Sequence, residues 1–188
     1  MRPEPGTAVP SIPAVFVAGA DGEWRIERIF PVRGEALPPA LRLARIEGPM
    51  PATRGIWTLR GTTSNDRYVT RAEKDALRAV QPPLGRPDST RAALIPVRKS
   101  PAWWELAQDE RRRILEDRSR HISTGLRYLP AIARRLYHCR DLGEPFDFLT
   151  WFEYAPSDAD RFEELVSELR RSPEWDYVER EVDVRLAR

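Results

Sequence analysis

Apolar positions in the first third of the chain fall in short alternating runs separated by proline and glycine. Positions 14–20 and 23–32 each read as a strand, and Asp21-Gly22 between them is a strong hairpin signal. Positions 56–62 read as a third strand. Nine of the eighteen prolines lie in the first 51 residues, which favours extended strands and loops over helix there. Thr70 and Glu73 form a capping box, so a short helix is predicted to about Val80, stopped by Gln81, Pro82 and Pro83.

The rest of the pattern is more regular. Positions 91–98 read as a strand, and Ser100, with Pro101 after it, is placed to cap a long helix running to about Arg127, with Pro130 as its limit. Strands are predicted at 131–141 and 146–154, joined as a hairpin through Leu142, Gly143, Glu144 and Pro145. Ser157 or Asp158 caps a helix to about Arg171, and 177–186 is a last strand. The order β-α-β-β-α-β is that of the ferredoxin-like unit. The first part looks like a reduced copy of the same plan. The expected fold is therefore α+β: two ferredoxin-like halves of the dimeric α+β barrel type, 1–89 (reduced) and 90–188, sharing one core.

Composition narrows the function classes. With 188 residues, 41% of them hydrophobic, a sizeable core can form. Charged residues reach 32% but nearly cancel, at +2 net, and most arginine runs are interleaved with acids. A nucleic-acid binder would gather a basic excess on one face, so no nucleic-acid partner is expected. Cys139 is the single cysteine, which excludes an intrachain disulfide and a cysteine zinc cluster. No run approaches the ~18 apolar residues of a membrane span, so no membrane partner is expected. Positions 13–20 mimic a signal peptide, but the run is short, proline-flanked and nearly without a basic leader. An ordinary strand, and a cytoplasmic protein, is the expectation.

Several residues are candidates for chemistry. On one continuous helix, Ala107, Ile114, His121 and Gly125 fall within about 40° of one another at ~100° per residue. That stripe sends His121 inward, and Gly125 leaves room beside it for something flat. Such a histidine is one metal ligand or an ordinary core histidine bonded to backbone. In the strand at 131–141, Arg134 shares a face with Ile132, Leu136 and His138, whereas Arg135 shares one with Ala133, Tyr137 and Cys139. Periodicity does not choose between these arginines, and both can also reach solvent or pair with acids. An inward arginine would offer a fixed cation to a small anion. Trp103 and Trp104 cover different surfaces, as core packing or as walls of a macrocycle with an N–H turned to a carboxylate. Lys99 pairs with such a carboxylate or is solvated. The polar turn from Thr63 through Ser64, Asn65, Asp66 and Arg67 to Tyr68 either contacts carboxylates or merely caps.

Taken together, these stretches resemble the chlorite dismutase family. The similar segments are 60–74, 99–104, 119–121, 129–136, 138–152 and 174–183, with the likeness clear over about 55–188 and loose before it. The resemblance implies haem b, held non-covalently because the lone Cys139 cannot form an attachment motif. It implies His121 as the iron ligand, Glu174 as the carboxylate on its other ring nitrogen (Glu179 and Glu181 lie nearby), and Arg134 as the distal catalytic arginine. Lys99, Trp103 and Trp104 match the haem-lining set. Gln81 is expected near the arginine, and Leu136, Thr150 and Phe152 on the same side, with Tyr68 at the haem carboxylates. The implied activity converts chlorite to chloride and dioxygen through a ferryl intermediate and a transient hypochlorite held by the arginine. The short N-terminal part resembles the compact lineage, which implies a homodimer.

Other readings compete. A coproporphyrin-haem decarboxylase-like enzyme resembles the same fold without an arginine in this place. A non-enzymatic haem carrier or sensor needs His121 but not Arg134. A peroxidase-like role lacks an evident distal acid or histidine base in the pocket strand. A ferredoxin-like binding module needs no cofactor.

Overall fold

The computed structural model describes residues 12–48, 54–63 and 68–188. Among these, β1 (Pro13–Gly19), β2 (Trp24–Arg33), β3 (Arg42–Glu47), β4 (Trp57–Thr63), β5 (Arg91–Lys99), β6 (Ala133–His138), β7 (Phe148–Tyr154) and β8 (Val178–Ala187) form one closed antiparallel barrel. The order around it is β1-β3-β2-β8-β5-β7-β6-β4. The helices are α1 (Arg71–Val80), α2 (Pro101–Glu105), α3 (Gln108–Arg112), α4 (His121–Tyr128) and α5 (Ala159–Arg170). The fold is thus α+β, as expected. In each group of four consecutive strands, the fourth lies beside the first, then come the third and the second. The sheet runs unbroken across position 89, through β2–β8 on one side and β4–β6 on the other.

The apolar pattern of β5 places two layers of core. Ala92 and Leu94 point into the barrel with Phe16, Trp24, Leu149 and Trp151. Ala93, Ile95 and Val97 point outward onto Phe162, Leu165 and Val166 of α5. Both faces are covered, so the strand reads as a continuous apolar run rather than an alternation. The outer layer opens between sheet and helices into the cavity described below.

The predicted hairpin is not made. β1 and β2 flank β3, which the sequence pattern missed. Gly22 is where the connection passes over β3. Its φ is +146°, and a Cβ there would lie 2.4 Å from the Leu43 carbonyl carbon. The signal that suggested a two-residue turn serves this close approach instead. β3 was hidden because its inward face carries charge after Leu43. Arg45 donates to the Tyr137 hydroxyl at 3.2 Å, and Glu47 accepts from that hydroxyl at 2.9 Å.

The predicted long helix is broken. Leu106 and Ala107 are extended, 113–118 is a π-helical turn, and Arg120 is left-handed with φ 51°. Ala107 therefore does not share a continuous stripe with His121. Ser100 precedes α2 but makes no side-chain cap, whereas the Thr70–Glu73 box is formed at α1 as predicted. Glu73 is held there by Arg112 at 2.6 Å. The 142–145 link does join paired antiparallel strands, though β6 is shorter than the predicted 131–141. Ser64, Asn65, Asp66 and Arg67 lie outside the described residues.

Candidate functional site

A cavity of about 920 Å³ lies between the outer face of β5, β6 and β7 and the helices α1, α4 and α5. Ile95, Val97, Leu136 and Phe152 give it apolar walls, with Thr150 among them. Two groups define its chemistry.

The first is built on His121, the first residue of α4. Its Nδ1 lies 2.6 Å from Glu174 Oε2. Glu174 sits in the short turn Pro173–Tyr177 and is buried. Its other oxygen accepts from Lys99 Nζ at 2.8 Å, and its backbone N–H donates to Ser119 Oγ at 2.9 Å. Burial alone would push the Glu174 carboxyl up. The attraction of His121 and Lys99 and their hydrogen bonds outweigh it and bring the pKa to about 2. With Nδ1 engaged, Nε2 is the ring nitrogen left for the cavity. The Trp175 ring lies nearly parallel to the imidazole, with centroids 6.4 Å apart. Glu179 instead pairs with Arg98, and Glu181 with Arg170 and Trp175. Lys99 is therefore a partner of the His–Glu pair rather than of a propionate.

A carboxyl whose pKa is lowered by folding adds stability that is complete above its ordinary value of 4.5 and is lost as pH falls toward 2. The stability difference between wild type and Glu174→Gln is expected to shrink as pH falls from about 4.5 toward 3. Denaturation midpoints across that range test this. A difference that stays unchanged at pH 3 would contradict it.

The second group is Arg134 on β6. Its Nε is buried without a hydrogen-bond partner, and burial pushes its pKa down. Among the described residues no carboxylate offsets that charge. Its Cζ would be 4.0 Å from a Cβ at Gly125, so the guanidinium reaches across to α4. Gln81 donates to the Arg134 carbonyl at 3.0 Å. Arg135 is tied to Glu47 at 2.6 Å, which decides between the two arginines left open by periodicity.

Trp103 lines the cavity, and its buried Nε1 has no hydrogen-bond partner among the described residues. Lys99 Nζ stands 4.6 Å from its ring. Tyr68 lies edge-on to Trp103 at 6.2 Å, and its hydroxyl accepts from Arg111 at 3.3 Å. The exception is Trp104, which does not line the cavity. It stacks on Phe148 at 6.0 Å, with the Arg140 guanidinium 3.8 Å from its ring. The turn of ~100° that separates it from Trp103 sends it to the other side. Sequence reasoning missed Trp175, which follows Glu174 directly; His138, which it placed on the Arg134 face, is a second histidine on the cavity wall.

Fold and site define an α+β barrel protein with a cavity that presents a carboxylate-backed imidazole and a guanidinium that no acid among the described residues pairs. The chlorite dismutase family model matches residues 52–188, and the chain belongs to that family. The dimeric chlorite dismutase of Nitrobacter winogradskyi is 60% identical, with a TM-score of 0.87 over 93% of this chain and 99% of that one. A mutant chlorite dismutase from Candidatus Nitrospira defluvii has a TM-score of 0.67 over 96% of this chain and 93% of that one; at 18% identity it shares the fold alone. A curated chlorite dismutase from Ideonella dechloratans is 35% identical over 86 residues, 46% of this chain and 28% of that protein's length. No helix among the described residues is long and apolar enough to cross a membrane.

Proposed function

We propose that the protein binds haem b and converts chlorite to chloride and dioxygen. The observation that carries this reading is one cavity holding both the His121–Glu174–Lys99 chain and the Arg134 guanidinium, which no acid among the described residues pairs. The residues present fit haem. The cavity volume of about 920 Å³ suits a cofactor. Among the described residues no cluster of His, Cys, Asp and Glu could hold a metal by itself, so iron would come within a macrocycle, with His121 as its protein ligand. The orphaned Trp103 Nε1 and Arg134 Nε are donors that a carboxylate-bearing group and its anionic substrate would satisfy. Lys99, Trp103, Tyr68, Gln81, Leu136, Thr150 and Phe152 belong to the same reading as cavity-lining residues.

When bound, haem supplies an iron with an open coordination position at which chlorite oxygen can be transferred. The net change, ClO2⁻ to Cl⁻ and O2, consumes neither protons nor electrons. It suits a cavity whose catalytic group is a fixed cation rather than an acid–base pair. Glu174 holds the Nδ1 proton and makes the imidazole more electron-donating. Lys99 keeps Glu174 ionised. Arg134, charged at any working pH, would draw chlorite in and hold chlorine oxyanions within the cavity. The apolar walls exclude water and reductants.

The repeated strand order supports reading the barrel as two ferredoxin-like halves, 1–89 and 90–188. The relative from Nitrobacter winogradskyi supports a homodimer. Pro13–Gly19 is a barrel strand, β1, whose removal would open the sheet, which supports reading 13–20 as a strand.

The test is to add chlorite to haem-loaded protein and follow dioxygen with an electrode. One O2 per chlorite consumed is expected. Haem bound without oxygen evolution would shift the reading to a carrier or a decarboxylase-like enzyme.

A further inference from the structure

We infer that Glu116 is a positioning residue for His121, acting as a cap on α4 from inside the π-helical turn before it. The inference rests on the proposal that His121 binds haem iron.

The first N–H groups of a helix need acceptors from outside it. At α4 the usual capping acceptor is missing: the residue in that place is Arg120, left-handed, with no side-chain bond to the helix. Glu116 fills the role. Its Oε2 accepts from the backbone N–H of Ile122 at 2.7 Å, and its Oε1 accepts from that of Ser123 at 3.2 Å. Both oxygens thus hold the residues that directly follow His121. The carboxylate also sits at the positive end of the helix, where a negative charge is favourable.

The π-helical turn brings Glu116 within reach. The Ser119 N–H bonds back to the Ile114 carbonyl, five residues earlier, at 3.1 Å. Turns of this kind recur at functional sites. The same segment holds the other partner, because Ser119 Oγ accepts from the Glu174 backbone N–H. Residues 116 to 121 therefore fix the imidazole and the carboxylate relative to each other. Their contact of 2.6 Å is short and directional, so a shift of the α4 start would disturb it.

The experiment uses haem-loaded protein with Glu116→Ala, Glu116→Gln and, as control, Asp117→Asn, an exposed acid one position on. Two readouts are taken: the rate of haem transfer to excess apomyoglobin, and the iron–imidazole stretching band of the ferrous protein by resonance Raman. Glu116→Ala is expected to speed transfer about tenfold and to lower and broaden the band. Glu116→Gln keeps one acceptor oxygen of two, so its rate and band should fall between wild type and alanine. Asp117→Asn should match wild type. A folded alanine variant with wild-type rate and band would overturn the inference. If the alanine variant does not fold, a glutamine variant indistinguishable from wild type does the same. An Asp117→Asn variant that moves both readouts as far as Glu116→Ala would assign the effect to local charge and overturn the cap. A wild-type protein without the band, or a band that survives His121→Ala, overturns the ligand reading itself, a result distinct from an unmoved band in the Glu116 variants.

Discussion

His121→Ala is expected to lower haem affinity by more than about a hundredfold while leaving the barrel intact, because the deletion removes the proposed iron ligand but not a core side chain. His121 is partly open to the cavity, and the carboxylate it leaves behind is not orphaned. Glu174 keeps Lys99 Nζ at 2.8 Å and the Ser119 tether on its backbone. The stability cost should therefore be about 1–3 kcal/mol, that of lost hydrogen bonding, rather than that of a stranded charge. Haem titration, the ferric absorption spectrum and far-ultraviolet circular dichroism check this. A variant that retains the wild-type spectrum would make His138 the candidate ligand, since it lines the same cavity.

The sequence made much of this legible, but unevenly. β5 and β7 and the capped helix α1 were visible because their periodicity and caps are local properties. β3 was not, since Arg45 and Glu47 occupy the face that should have been apolar and satisfy themselves on Tyr137, a residue about ninety positions away. The inward placement of His121 was reached from a stripe that does not exist as one helix. Leu106, Ala107 and Arg120 break it, and what turns the imidazole inward is a new helix starting at that residue. The partnership of His121 with Glu174 spans 53 positions and came only from family resemblance. Glu116 carried no signal, because a cap supplied from a π-helical turn has no fixed spacing to read.

Arg134 is the residue where stability and the proposed function oppose each other. Arg134 is half-buried, its Nε is shut from solvent without a partner, and among the described residues no acid stands against it, so folding disfavours its charge. Arg134→Leu should raise the melting temperature of the haem-free protein by roughly 2–4 °C, about 1 kcal/mol for a chain of this size. The same variant should keep haem, since it leaves His121, Glu174 and Lys99 untouched. With chlorite it should evolve less dioxygen per chlorite consumed, release more of the chlorine oxyanion to an added trap, and bleach about tenfold sooner, because the group proposed to retain the oxyanion is gone. Arg134→Lys, a point charge without the planar fork, should fall between the two. Calorimetry of the haem-free protein and oxygen yield of the loaded one separate the effects. A raised melting temperature with unchanged yield and lifetime would remove Arg134 from the mechanism. A lowered one would mean that the guanidinium supports the wall it stands in, and that its unpaired state in the cavity is no mark of a waiting anion site.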